Sequence, residues 1–131
     1  MIRTIRVLKA LAEWEDNLVE FKWGKTDCVH FADFVTKKIT GHSVMPDWAV
    51  YGNEDEAHEI VDEKGGFLEA LEFALGDSLE PDQLKIGDIA LARLPIVGEI
   101  VGIHMPYQFV TVHHKGLIQC SDSYEVCGWK V

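Results

Sequence analysis

Cys28 is the residue whose type and position most favour covalent chemistry. Asp27 is a good N-cap, apolar residues follow at helical spacing, and Gly41 is placed to end the segment, which predicts a helix that begins at Cys28. A cysteine at the first helical position lies beside unpaired backbone N–H groups and the positive end of the helix dipole, and both stabilise a thiolate. Acyl transfer by that thiolate needs a base, normally a histidine from a distant part of the chain. The alternative is that Cys28 is a small core residue.

The sequence around Cys28 resembles a known signature. Residues 21–28 read FKWGKTDC and are followed by Phe31, which is similar to the aromatic-x-x-Gly…Asp-Cys-x-x-Phe pattern of NlpC-type peptidases, papain-like hydrolases of cell-wall peptides. The chain resembles more closely a small phage-encoded branch of that superfamily found among tail genes. The features shared with this branch are Tyr51, Ala57, Gly65-Gly66, Gly87-Asp88, Val101-Gly102-Ile103 and Trp129.

The resemblance implies a papain-like, NlpC-type fold in which Cys28 is the nucleophile of a peptidase or amidase. The candidate substrate-binding residues are Trp23, Gly24, Asp27 and Trp48. Trp23 and Trp48 lie in predicted loops, where they would either line a cleft or cover the core. The expected substrate is a peptidoglycan peptide. The expected partners are phage tail proteins, and the expected location is the tail of the virion after synthesis in the bacterial cytoplasm.

One residue departs from the family pattern. NlpC-type enzymes carry their histidine directly before the Val-Gly-Ile strand, and Ile100 occupies that position here. Because side chains alternate along a strand, His104 projects from the same face as residue 100 and is the expected general base. The third, orienting residue of the family comes about twelve positions later, which brings His113 or His114 into range, and alternation puts these two on opposite faces.

Three functions therefore stay open. The first is a cysteine hydrolase that uses Cys28 and His104. The second is a catalytically silent NlpC-like component of a phage tail, which the isoleucine at position 100 favours. The third is a thiol-dependent binding module.

The composition of the chain argues against several other classes of protein. The chain has 131 residues and a formal charge of -10, and residues 54–82 alone hold eleven acids against one base. No stretch gathers enough Lys or Arg to bind nucleic acid or anionic lipid, and no apolar run is long enough to span a membrane. His58-Glu59 resembles the start of a zinc motif, but Asp62 replaces the second histidine, so we expect no metal and no cofactor. Three cysteines give no disulfide framework and are expected to be free thiols.

The elements that must position these residues follow from hydrophobic periodicity. An apolar content of 47% suits one domain over residues 1–131, with helices in about 4–75 and a sheet in about 86–130. The first helix is predicted at 4–20, with an apolar face of Ile5, Leu8, Leu11, Trp14 and Leu18, and two short acidic helices at 54–64 and 67–75. Strands are predicted at 88–94, 99–104, 109–114, 117–121 and 126–130. Helices followed by an antiparallel meander of about five strands predict an α+β fold with the helices packed on the sheet.

Overall fold

The computed structural model describes residues 2–17 and 20–131. Its helices are α1 (Ile2–Asp16), α2 (Cys28–Thr40), α3 (Glu54–Glu63) and α4 (Phe67–Leu75). Five antiparallel strands follow: β1 (Ile89–Leu94), β2 (Gly98–Met105), β3 (Gln108–His113), β4 (Gly116–Ser121) and β5 (Glu125–Trp129). The predicted α+β class, with helices first and a sheet of five strands second, is confirmed.

Helix α1 has the predicted period, but the first part of its predicted face is not buried. Trp14 is buried and Leu11 packs against the core, as predicted. Ile5 and Leu8, predicted to face the core, are 46% and 52% exposed, and Val7 and Ala10 are buried instead. The polar anchors of the helix account for this rotation. Arg3 donates to the backbone oxygens of Ile86 and Val131 and to the carboxylate of Asp88, and Arg6 donates to the carbonyl of Ile39. Leu18, the last residue of the predicted face, lies outside the described residues.

The sheet has the order β4-β3-β2-β1-β5, so the prediction of a simple meander is wrong for the last strand. Strand β5 pairs with β1 and not with β4. Only Asp122–Tyr124 separate β4 from β5, and the steps from Ser121 to Glu125 can span at most about 14 Å. A flat sheet would put its edge strands about 19 Å apart. The sheet therefore curls until its two edges approach each other.

The two faces of the curled sheet bury different clusters. The face towards the helices carries the main core, in which Ile89, Leu91, Val101 and Ile103 pack with residues of α1 and α2. The concave face encloses a smaller cluster, to which β1 contributes two alanines. The cluster consists of Leu84, Ala90, Ala92, Leu94, Ile100 and Phe109. Cys28 packs against both clusters, so the start of α2 lies where they meet.

Gly102 on β2 is required by the close packing of the concave face. A Cβ atom there would clash with the carbonyl oxygen of Val110 and would lie 2.8 Å from both Phe109 Cζ and Thr111 Cβ. We predict that Gly102→Ala lowers the free energy of unfolding by about 1–3 kcal/mol through overpacking, as measured by urea denaturation. Gly52→Ala is the matched control, because the nearest atom to its new Cβ is the flexible Glu56 carboxylate at 3.7 Å. Equal stability of the two variants would contradict this account of the sheet.

Candidate active site

Cys28 is the first residue of α2, as predicted. Asp27 caps the helix, since its side chain accepts a hydrogen bond from the backbone N–H of His30, and Gly41 ends the helix in the left-handed conformation. Cys28 lines a cavity of about 300 Å³ between the loop after α1, helices α3 and α4, and the β1–β2 hairpin. A potential nucleophile and a space for a ligand therefore occur together.

The Asp27 carboxylate organises the loop around Cys28. It is 1% exposed and accepts four hydrogen bonds. Oδ1 accepts from the backbone N–H of His30 at 3.1 Å and lies 2.7 Å from the ring Nδ1 of the same residue. Oδ2 accepts from the backbone N–H of Gly24 at 2.8 Å and from the Tyr51 hydroxyl at 2.7 Å. One buried side chain thus joins the loop before α2, the helix itself and the loop before α3.

Gly24 is the residue that lets this loop close. It has a φ of +80°, and a Cβ atom at this position would overlap the backbone carbonyl of Tyr51. A left-handed conformation combined with such a close backbone approach leaves room for glycine alone. The glycine in the FKWGKTDC string is therefore explained by packing against residue 51.

The same hydrogen bonds determine the protonation states of Asp27 and Tyr51. Burial acts to raise the pKa of Asp27, but the bonds from His30, Tyr51 and Gly24 outweigh it and hold the pKa below its ordinary value. Burial and the charge on Asp27 both raise the pKa of the Tyr51 phenol. Asp27 is therefore a carboxylate, and Tyr51 stays protonated and donates to it.

The environment of Cys28 opposes ionisation of its thiol. Burial raises the pKa of Cys28 to about 12, the backbone N–H of Val101 acts to lower it, and the charge on Asp27 raises it further. Although all six histidines lie in the described residues, none is among these influences. The expected effect of the helix terminus is outweighed by desolvation and by a neighbouring carboxylate.

His104, the predicted base, is held by a different partner. Its Nδ1 lies 2.8 Å from both carboxylate oxygens of Glu125, and both side chains are buried. Burial raises the pKa of Glu125, and the bond to His104 lowers it only in part. The backbone N–H of Val101 acts on Cys28. His104 is three residues further along β2, so its Cα lies about 10 Å from that of Val101. The structure pairs His104 with Glu125 and does not bring it to Cys28.

The family resemblance puts a histidine at position 100. Here that position holds an isoleucine, and its surroundings are apolar too. Ile100 is 4% exposed and belongs to the concave cluster against which Cys28 packs. A histidine there would face the region of the thiol, whereas an isoleucine can neither accept a proton nor stabilise a thiolate.

His113 and His114 lie together at the β3–β4 turn. Their ring centroids are 4.6 Å apart, and they pack against Phe21 at 6.2 Å and 4.8 Å respectively. Burial and the charge on His114 lower the pKa of His113, and Glu54 opposes them. Neither histidine lines the cavity beside Cys28, so the structure groups them with the loop before α2 and not with the thiol.

The residues predicted to contact substrate divide into two groups. Trp23 and Trp48 line the cavity, and the Trp48 indole N–H donates to the carbonyl of Ala70. Gly24 and Asp27 lie behind this wall in the hydrogen-bond network already described. The loop aromatics are therefore available to a ligand, and the other two residues support them.

Sequence reasoning missed several residues of the site. His30 follows the N-cap by three positions, a spacing at which a side chain commonly returns to the cap, so this contact was within reach of a sequence argument. Tyr51 was noted as a shared feature, but nothing in the sequence links it to Asp27. His58 lines the cavity from α3, and Glu125 reaches His104 only because β5 crosses to the far edge of the sheet. Such partners depend on tertiary contacts.

Within 2–17 and 20–131, no group of three or more His, Cys, Asp or Glu side chains is placed to hold a metal ion. No helix in the same ranges has both the length and the apolar character needed to cross a membrane.

Comparison with known families supplies a classification. Residues 4–131 match the profile of a family described as a domain of unknown function, DUF6950. The chain belongs to this family. No curated protein matches it. Family membership covers nearly the whole chain, including the Cys28 cavity and the His104–Glu125 pair, and carries no stated activity.

The Asp27 network predicts a specific acid sensitivity. Because the pKa of Asp27 is lowered on folding, its contribution to stability is present above its unfolded pKa of about 4 and is lost as pH falls through the lower folded value. We predict that Asp27→Asn, which keeps an N-cap but leaves donors unpaired, costs about 2 kcal/mol at pH 7 and removes this part of the acid-induced loss. Urea denaturation from pH 7 to pH 2.5 measures both effects. Asp55→Asn on the exposed face of α3 is the control, and parallel pH curves for wild type and Asp27→Asn would contradict the role of Asp27.

The thiol of Cys28 should react as a protonated cysteine. With a pKa of about 12, its alkylation by iodoacetamide should be slow at pH 8 and rise steeply only above about pH 10. Peptide mapping by mass spectrometry separates Cys28 from Cys120 and Cys127. In urea the same cysteine should titrate near the ordinary value of about 8.5. A half-maximal rate at or below pH 8.5 in the folded protein would contradict the geometry.

Proposed function

We propose that this chain is a papain-like domain without hydrolase activity that serves as a structural or assembly component of a phage tail. The observation that carries the proposal is the isoleucine at position 100, in the cluster against which the half-buried, protonated Cys28 packs. The tail context, the partnership with tail proteins and the location in the virion rest on the resemblance of residues 21–31 and of the shared features further along the chain.

The chemistry of the site supports a silent domain. At pH 7.5 a thiol with a pKa of about 12 is almost entirely protonated. An efficient cysteine nucleophile instead needs a lowered pKa or a hydrogen-bonded base. Ile100 provides neither, and the Nδ1 of His104 is committed to Glu125. Cys28 is then a small packing residue at the junction of the two clusters.

A cysteine hydrolase acting on peptidoglycan peptides is the second candidate, and one observation favours it. Cys28 lines an open cavity at the start of a helix, and His58 lines the same cavity. The Nε2 of His58 lies 3.8 Å from a carboxylate oxygen of Glu54, and both side chains are exposed. In such an enzyme His58, and not His104, would be the histidine nearest to the ligand space.

Peptide-cleavage assays and the infectivity of variant virions together distinguish the silent domain from the hydrolase. We predict that the wild-type protein releases no more product from peptidoglycan peptides than Cys28→Ala does, and that virions carrying Cys28→Ala assemble and infect normally. Liquid chromatography of the peptides and plaque counts are the measurements, and His58→Gln is the companion variant. Cleavage that disappears in both Cys28→Ala and His58→Gln would replace the silent domain by the hydrolase. Loss of infectivity in Cys28→Ala alone, with full particle assembly, would also count against it.

A further inference from the structure

The cavity beside Cys28 has walls of an unusual composition. Four aromatic side chains line it, namely Trp23, Trp48, Tyr51 and Phe67. Two acids, Asp62 and Glu99, and the imidazole of His58 complete its polar lining, and no Lys or Arg from the described part of the chain lines it. Aromatic faces combined with carboxylates attract cations, because the ring quadrupole and the acid charges act in the same direction.

The wider electrostatic setting has the same sign. Helix α3, which forms one side of the cavity, carries six acids and neither Lys nor Arg over Glu54–Glu63. The Asp27 carboxylate is buried behind Cys28, and the Cys28 thiol itself is neutral. Glu99 forms an ion pair with Arg93 at 3.3 Å, and the Arg93 side chain is 63% exposed, so solvent weakens the pair. The described hydrogen bonds and ion pairs give the Asp62 carboxylate no partner, which leaves it available to a ligand.

The rim of the cavity is apolar and exposed. Val97 lines the cavity, and the adjacent Ile96 is fully exposed with a φ of +70°, a conformation that β-branched residues rarely adopt. Val50, next to Tyr51, is 79% exposed. A free small cation would use none of these side chains, whereas a polypeptide that inserts one residue into the cavity could cover them. The volume of about 300 Å³ is at the low end of the range for ligand sites, which suits a single side chain.

We propose that this cavity binds the ammonium or guanidinium group of a lysine or arginine side chain presented by a protein partner. The inference rests on the proposed binding role of the domain in assembly, and it names the chemistry of the segment that is bound. Trp23 and the other aromatic side chains contact the alkyl stem and the cation, Asp62 supplies the opposite charge, and the hairpin tip at Ile96 and Val97 packs on the neighbouring residues of the partner.

The test compares a charged ligand with a neutral one that keeps the alkyl stem but lacks the ammonium group. N-acetyl-lysine methylamide and its neutral counterpart N-acetyl-norleucine methylamide are titrated into the full chain, with the indole N–H signals of Trp23 and Trp129 followed by NMR. The lysine derivative should bind at least tenfold more tightly and shift the Trp23 signal, whereas Trp129, which is 3% exposed and donates to Gly76, should not move. Equal affinity of the two ligands would overturn the proposal.

Matched variants separate the site from the general field of α3. Asp62→Asn removes a carboxylate of the cavity, and Glu63→Gln removes one charge from the same helix outside the cavity lining. Asp62→Asn should weaken lysine binding about tenfold and Glu63→Gln less than twofold. Equal losses in the two variants would show a diffuse electrostatic attraction and overturn the site. Both positions are exposed, so the fold should survive either change.

The source of the cation and the proposed function are tested separately. Choline and its neutral isostere 3,3-dimethylbutan-1-ol form the second pair of ligands, and choline that binds more tightly than the lysine derivative would overturn a protein partner in favour of a free cation. Peptide cleavage by wild type would refute the silent domain while leaving this site intact, and absence of both cleavage and lysine binding would refute this inference alone.

Discussion

The buried carboxylate of Asp27 is the interaction on which the site depends. A charge removed from water is tolerated only when hydrogen bonds satisfy it, and here four donors from three segments do so. The bonds to Gly24 and Tyr51 bring together two loops that are 27 residues apart in sequence, and the bond to the N–H of His30 starts α2 at Cys28. Without this carboxylate the cavity would lose the connection between its two aromatic walls.

The same carboxylate works against cysteine chemistry. Asp27 is adjacent to Cys28, and its charge adds to desolvation in keeping the thiol protonated. A helix terminus can compensate for one such effect, but its influence is modest compared with burial. A base at position 100 could supply the missing stabilisation, and Ile100 does not. The arrangement that orders the cavity thus also keeps the Cys28 thiol protonated.

The buried His104–Glu125 pair links two strands of the sheet. His104 on β2 and Glu125 at the start of β5 are two strands apart in the sheet order, yet their side chains meet. They can do so because the sheet curls and the short link after β4 carries the chain across the open end. The backbone of His104 also bonds the Gly87–Asp88 turn, and the Asp88 carboxylate binds Arg3 and the backbone N–H of Val131. This network joins both ends of the chain to the sheet.

The sequence by itself determined the features that depend on neighbouring residues. Helix α2, its caps at Asp27 and Gly41, the two acidic helices and the five strands all follow from period, glycine placement and N-cap chemistry, which act over a few residues. The buried face of α1 was displaced because Arg3 and Arg6 bind distant groups, and the pairing of β5 with β1 depends on the curl of the whole sheet. The protonation of Cys28 and the partner of His104 were likewise decided by tertiary structure. Asp27 is a local influence on Cys28, but the larger effect is desolvation, and the Glu125 partner of His104 comes from a distant strand; the local sequence contains neither of these.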